Sequence, residues 1–271
     1  MAQTVLITGA SSGIGRVTAK LLSMKGYHVY GTSRTAQNEY TAGENGGFIT
    51  MLALDVNDTS SIAQAISIVL EREGRIDVLI NNAGNGIAGA LELTDPSEAQ
   101  AQLSTNFFGA INMTNTVLPI MREQGGGRVV CISSLAAQIP IPFQSLYSAS
   151  KAALEITMQA MAMETTPFGV LFTCLELGDT KTGFTKNRKY IERTRSDTIY
   201  TTRFKKSIGK MEQDEQGGME PIEAAKAVAK LLARKNPPLL SVCGGGAKAV
   251  YVIRKLLPLR WSNFMISKLY S

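Results

Sequence analysis

Gln3-Thr4-Val5-Leu6-Ile7-Thr8-Gly9-Ala10-Ser11-Ser12-Gly13-Ile14-Gly15 is the stretch from which the fold can be read. Its first half is a short apolar run rich in β-branched residues, the composition of a buried strand. Its second half is a glycine-rich turn that passes at Ile14 into a helical pattern lasting to about Lys25. Glycines alone would mark only a tight turn. Between a strand and a helix start they make a diphosphate cradle, because the backbone can come close and free N–H groups and the helix dipole face the anion. The cradle is assigned to Gly9, Ser11, Ser12, Gly13, Ile14 and Gly15.

Outward from this unit, strand and helix alternate. Strands are expected at 4–8, 28–32, 48–54, 77–81, 128–133, 169–176 and 239–242, and helices at 14–25, 59–72, 97–122, 147–164 and 221–234. Arg128-Val129-Val130-Cys131-Ile132 and Val170-Leu171-Phe172 are nearly continuous apolar runs, as in parallel strands covered on both faces. The alternation implies right-handed βαβ units in a doubly wound sheet. No repeat, low-complexity segment or linker interrupts it, and 271 residues fit a single domain.

Four further places are candidates for chemistry. Tyr147 and Lys151 stand four apart, on one helix face with their Cβ atoms about 5–6 Å apart. A phenol ordinarily holds its proton to about pH 10; an adjacent ammonium favours the phenolate and would bring Tyr147 towards use as an acid or base near neutrality. After the second strand the sequence reads Gly31-Thr32-Ser33-Arg34-Thr35. An acidic residue at this point of a dinucleotide fold would bond the adenosine ribose. A hydroxyl and a guanidinium suit a 2′-phosphate instead, so NADP(H) is expected, with a solvated Arg34 as the plain alternative. Ser133-Ser134 follows another strand, where loop capping is the plain reading, and Asn106 lies in a helical run, where a backbone-bonded buried asparagine is the plain reading.

Together, Thr8–Gly15, Asn81-Asn82-Ala83-Gly84, Asn106, Ser134, Tyr147 and Lys151 resemble the short-chain dehydrogenase/reductase family, in the family's order from residue 3 to about 182. The resemblance implies a Rossmann-like sheet of about seven strands with helices on both faces. It implies that Ser134 holds the substrate oxygen, Tyr147 passes it a proton, Lys151 lowers the Tyr147 pKa and holds the nicotinamide ribose, and Asn106 anchors a water chain. It places Ser33 at the acidic position, Asp55 and Val56 beside the adenine, and Asn82, Ala83 and Gly84 along the cofactor. Gly178, Thr180 and Thr182, in Leu177-Gly178-Asp179-Thr180-Lys181-Thr182, would meet the nicotinamide end. Leu177 replaces the family's usual proline, so this loop is expected to be less rigid. A homodimer or homotetramer is expected.

Composition narrows the rest. Hydrophobic residues make up 44% of the chain, enough for a substantial core. His28 is the lone histidine, which leaves no basis for a histidine base or histidine-rich metal site. Cys131, Cys174 and Cys243 form no CxxC and read as small buried hydrophobes in a reducing compartment. No secretory signal and no spanning segment is expected, and no nucleic-acid motif is present. The expected location is cytoplasmic, with peripheral membrane contact left open.

The basic character is local. Residues 186–210 hold nine Lys or Arg against Glu192 and Asp197, and 247–271 hold Lys248, Arg254, Lys255, Arg260 and Lys268 with no acid, in a chain of net charge +6. Solvated helix faces and attraction of an anion or anionic surface both fit. The family resemblance implies that 183–220 is a helical substrate lid, and Phe184, Tyr190, Ile191, Ile199, Tyr200 and Phe204 would give it a greasy wall. The apolar, basic 247–271 tail, broken at Pro258, suits a membrane interface, a core cover, a lid or a subunit interface. With the family resemblance, these features imply NADPH-dependent reduction of a steroid- or lipid-like ketone or aldehyde, reversible to alcohol oxidation. The alternatives are a 3-oxoacyl-carrier or CoA reductase and a non-catalytic NADP(H)-binding regulator.

Overall fold

The computed structural model describes residues 2–37, 39–196 and 198–270; Asp197 of the lid and Ser271 of the tail lie outside them. Among the described residues ten strands are formed: β1 (Thr4–Ile7), β2 (His28–Ser33), β3 (Tyr40–Ala42), β4 (Phe48–Ala53), β5 (Val78–Asn81), β6 (Ile87–Ala88), β7 (Gly127–Ser134), β8 (Val170–Leu177), β9 (Lys189–Tyr190) and β10 (Leu240–Cys243). Eight build one sheet in the order β10-β8-β7-β5-β1-β2-β4-β3. All its pairings are parallel except that of β3 with β4. The expected seven strands are present. The eighth, β3, is a fully exposed three-residue edge strand, too short and too wet to leave a hydrophobic pattern.

The sheet is covered on both faces, as its apolar strands require. The helices are α1 (Gly13–Met24), α2 (Thr59–Glu73), α3 (Pro96–Leu103), α4 (Gly109–Glu123), α5 (Ser145–Thr165), α6 (Phe184–Asn187), α7 (Glu192–Ser196), α8 (Thr198–Gln216), α9 (Pro221–Leu232), α10 (Gly245–Leu256) and α11 (Leu259–Leu269). Leu6 of β1 belongs to one core cluster with Ile62 and Val69 of α2, Met113 and Val117 of α4, and Leu154 and Met158 of α5. Its neighbours Val5 and Ile7 belong to the opposite cluster with Leu22 of α1 and Val228 and Leu231 of α9. The alternation along one strand thus feeds two cores. Local signals set the helix ends: Asp58 caps α2 through its bond from the Ser60 N–H, and Asp95 and Glu98 form a capping box on α3.

The expected 97–122 helix is interrupted. Residues Ser104–Phe108 form a π-helical turn between α3 and α4, and Asn106 lies in it, buried. Such turns often occur at functional sites. The chain order runs from β1 outward through β2 and β4, then returns to β5 and proceeds outward through β7, β8 and β10. The crossover lies between β1 and β5, and the carboxyl ends of those strands are where this architecture binds ligands.

The turn after β1 depends on absent side chains. Gly9 has φ +67° and Gly13 φ +51°, the left-handed region that favours glycine. A Cβ on Gly15 would lie 2.4 Å from the Gly9 carbonyl oxygen and 2.5 Å from Asn82 Nδ2. Gly15→Ala is therefore expected to cost about 1–3 kcal/mol of stability. Gly209→Ala, inside α8 with nothing within 4 Å of the added Cβ, is expected to gain up to about 1 kcal/mol. Urea unfolding of the two variants should show opposite shifts; two shifts of the same sign would contradict the packing described.

Candidate active site

The cradle is joined to the end of β5 by one asparagine and one threonine. Asn82 Nδ2 donates to the Thr8 and Gly9 carbonyls at 2.8 and 3.0 Å. Thr8 Oγ1 accepts from the N–H groups of Asn82 and Ala83, both at 3.0 Å. The segment expected to line a cofactor therefore also holds the glycine turn in shape. Ser12 has extended backbone before α1 and makes no side-chain capping bond, which leaves its hydroxyl available at the helix start.

A cavity of about 720 Å³ runs along the carboxyl ends of the strands. Gly9, Ser11, Ser12, Gly13, Ile14, Ser33, Arg34, Asp55, Val56, Asn82, Ala83, Gly84, Ser134, Tyr147, Lys151, Gly178, Thr180 and Thr182 line it. Gly15 and Asn106 sit behind this lining. Gly15 supports the turn from within, and Asn106 clamps the next loop. Asn106 Oδ1 accepts from the Asn85 N–H at 2.9 Å, and its Nδ2 donates to the Asn85 carbonyl at 3.0 Å and to Ser150 Oγ at 3.2 Å. The buried Gln102 grips the same loop, donating to Asn85 O and Oδ1, both at 2.9 Å, and accepting from the Ile87 N–H at 2.6 Å. Sequence reasoning did not single out Asn85, Gln102 or Ser150, because a buried amide has no spacing signature.

The two serines at the end of β7 part company. Ser133 is buried and donates to Glu155 Oε1. Ser134 begins the turn Leu135–Ala137, its Oγ accepting from the Ala136 N–H at 3.2 Å, and its side chain works to lower the pKa of Tyr147. Both serines border the cavity; Ser134 combines that place with capping, and Ser133 has its hydroxyl committed to Glu155. That carboxyl also accepts from Gln138 Nε2 at 2.9 Å. It lies close to Glu176, and burial raises the pKa of both acids, Glu176 to about 8. Glu155 stands four residues beyond Lys151 on α5, a spacing that could have drawn attention to it.

Lys151 Nζ donates to the Ile132 carbonyl at 2.9 Å and lies 6.0 Å from the Tyr147 ring centroid. Burial lowers its pKa to about 8. Tyr147 behaves otherwise than expected: burial raises its phenol to about 12, with the Ser134 side chain opposing and Glu215 adding to the rise. Desolvation thus outweighs the expected effect of Lys151, whose ammonium bonds a backbone carbonyl and leaves two N–H donors towards the cavity.

Residues of the 183–220 segment line the far end. β9 pairs in parallel with β6, and buried Arg188 is ion-paired to Glu215. Phe204, Ile208 and Met211 of α8 form an apolar cluster with Ala88, and Ile141, Phe143, Tyr190 and Tyr270 pack against it. The Phe184 ring lies 5.7 Å from that of Tyr147. Tyr270, beyond the end of α11, lines the cavity too. One residue of the 247–271 segment therefore reaches the cavity wall.

The short chain dehydrogenase family model matches residues 3–192. The chain belongs to the short-chain dehydrogenases. It is 44% identical over 242 residues to a 3-ketodihydrosphingosine reductase of Bacteroides thetaiotaomicron, covering 89% of this chain and 88% of the relative. A short-chain dehydrogenase from Streptomyces avermitilis superposes with a TM-score of 0.80 at 32% identity, covering 98% and 97% of the two chains. ElxO, solved with NADP bound, superposes with a TM-score of 0.74 at 26% identity over 92% of this chain and all of its own. The short-chain dehydrogenase described here is thus an oxidoreductase acting between CH–OH and C=O in small molecules.

The two pKa values set a pH profile. A lowered lysine pKa means that the charge of Lys151 is present below about 8 and lost above it, while the Tyr147 proton is kept to about 12. For a non-titrating carbonyl substrate, kcat/KM for reduction is expected to be level below about pH 7 and to fall as pH rises through about 8. A profile level to pH 10 would show that the Lys151 charge plays no part.

Proposed function

We propose that the protein is an NADPH-dependent reductase of a hydrophobic, lipid-like ketone or aldehyde, reversible to oxidation of the secondary alcohol. The observation that carries this reading is the continuity of one cavity. Its lining passes from the glycine cradle, by way of Ser134, Tyr147 and Lys151, to Phe184, Ile141 and Tyr270. One end fits a dinucleotide: the close approach at Gly9 and Gly15 and the free hydroxyl of Ser12 suit a diphosphate. The other end offers apolar and aromatic walls to a greasy chain.

The cofactor assignment rests on Ser33 and Arg34. Both line the cavity at the end of β2, and Arg34 is exposed, so its guanidinium is available to a 2′-phosphate. Asp55, the next acid along the lining, already accepts from the Asn57 N–H at 3.0 Å. The cofactor supplies the hydride when bound. Ser134 would hold the substrate oxygen and Tyr147 would give it a proton, a role that suits a phenol still protonated at neutral pH. Lys151 would use its two remaining donors on the ribose.

The substrate class follows from the walls and from the 3-ketodihydrosphingosine reductase relative. The lid's charge favours an acyl-carrier substrate less than its sequence suggested. Arg188, Arg193, Arg195 and Lys210 are engaged by Glu215, Asp95, Glu192 and Asp214, which leaves less free charge for an anionic carrier. A non-catalytic role accords poorly with a cavity on which Ser134, Tyr147 and Lys151 all converge.

Tyr147→Phe is expected to leave the fold and NADPH binding intact and to lower turnover by about 10² or more. Ser134→Ala should act similarly and Ser133→Ala much less, in steady-state assays on a panel of long-chain ketones with folding checked. Near-native turnover of Tyr147→Phe would remove Tyr147 from the proposed role.

Ser33→Asp combined with Arg34→Ile is expected to weaken NADPH binding by about one to two decades while changing NADH binding little. Fluorescence titration of both cofactors at one ionic strength tests this; a wild-type preference for NADH would overturn the assignment at its root.

A further inference from the structure

We propose that the outer face of α10 and α11 is a docking surface for an anionic lipid bilayer. Among the described residues, eighteen large apolar side chains are exposed, and nine of them come from these two helices. Val252, Leu256, Leu259, Trp261, Phe264 and Leu269 are more than half exposed, Leu256 reaching 77%. A concentration of this kind on one surface marks an interaction site.

The inner side of the same segment is occupied. Ala247 and Ser262 are buried. Arg254 Nε donates to the Gln138 carbonyl at 3.3 Å, and Tyr270 packs on the lid cluster. The tail is therefore fixed to the protein by one side and bare on the other.

Charge selects the occupant. Lys248, Lys255, Arg260 and Lys268 are exposed, and no acid occurs between residues 245 and 270. A second copy of the chain, meeting this face by twofold symmetry, would set the same positive charges against each other. An anionic headgroup layer meets them with opposite charge and offers acyl chains to the apolar residues between.

Length sets the mode of contact. α10 has 12 residues and α11 has 11, separated at Pro258. Each is about 16–18 Å long, well short of the ~30 Å hydrocarbon core. No helix among the described residues is long and apolar enough to cross a membrane. The pair lies along the interface, and Tyr270 at its inner end carries the contact to the cavity wall. This assignment stands on the geometry of the tail and does not depend on the reaction proposed above.

Trp261 is the chain's single tryptophan and stands on the proposed face, so its emission reports docking without a label. The full chain is mixed at low salt with vesicles of phosphatidylcholine alone or with added phosphatidylglycerol, and sedimentation of the protein is measured in parallel. The anionic vesicles are expected to shift Trp261 emission to the blue and to carry the protein down, with both effects fading as salt rises; neutral vesicles should do neither. Arg260→Glu with Lys268→Glu should lower partitioning by about thirty-fold or more. Phe264→Ser with Leu269→Ser should lower it while leaving the urea midpoint unchanged. Absence of binding to anionic vesicles overturns the proposal, whatever the variants do. Equal binding to neutral vesicles overturns the role of charge. A blue shift that grows with protein concentration in the absence of lipid assigns the face to a second copy of the chain.

Discussion

The close approach of the β1 turn to the end of β5 is the constraint on which the site depends. Two carbonyls, of Thr8 and Gly9, are held by one amide, that of Asn82. Gly15 is pressed against the same atoms, with no room for a methyl group. The sheet's crossover lies at this place, so two halves of the molecule meet through a handful of polar contacts and missing side chains. If Asn82 were removed, two buried carbonyls would lose their donor, each at the cost of an unsatisfied polar group. If Gly15 were enlarged, the turn would have to move away from β5. The cradle's shape is thus a property of the β1–β5 junction, although its residues lie in the first loop.

Much of this was legible in the sequence, for identifiable reasons. The seven expected strands announced themselves by apolar or alternating runs, most clearly where they are buried on both faces, as in β1, β5, β7 and β8. The glycine turn was readable because its flanks were. Ser134, Tyr147 and Lys151 were assigned through the family resemblance, and the structure brings all three to one cavity. The buried amides escaped. Gln102 and Asn85 carry no pattern, since their task is to satisfy backbone groups that only the folded loop creates. The exposed β3 escaped because strands are recognised by what they bury. The π turn at Ser104–Phe108 escaped because a helix with one extra residue in a turn keeps almost the same periodicity.

The electrostatics were the part where spacing misled. Two side chains four apart on a helix share a face, but the depth to which each is buried is set by tertiary packing. Lys151 is drawn to the Ile132 carbonyl, and the Tyr147 phenol is pushed up by loss of water. Beneath them, Glu155 and Glu176 form a buried acid pair whose raised pKa values have the same origin. Desolvation is the largest influence on each of these four groups. The local order of charge follows burial first and partners second.

The parting of Ser133 and Ser134 has a consequence for how the molecule is made. β7 and β8 pair in parallel with Ser133 opposite Glu176 and Ser134 opposite Leu177. Adjacent strand residues point to opposite sides, so a slip of one residue exchanges every inside for every outside. A slipped β7 would send the cavity's hydroxyl towards the carboxyl pair and turn its neighbour outward, while most of the backbone ladder could still close. Such a molecule would have nearly native compactness and helix content and an incomplete site. Recovery of secondary structure on refolding and recovery of active molecules are then separate yields, and the difference between them measures strand registry.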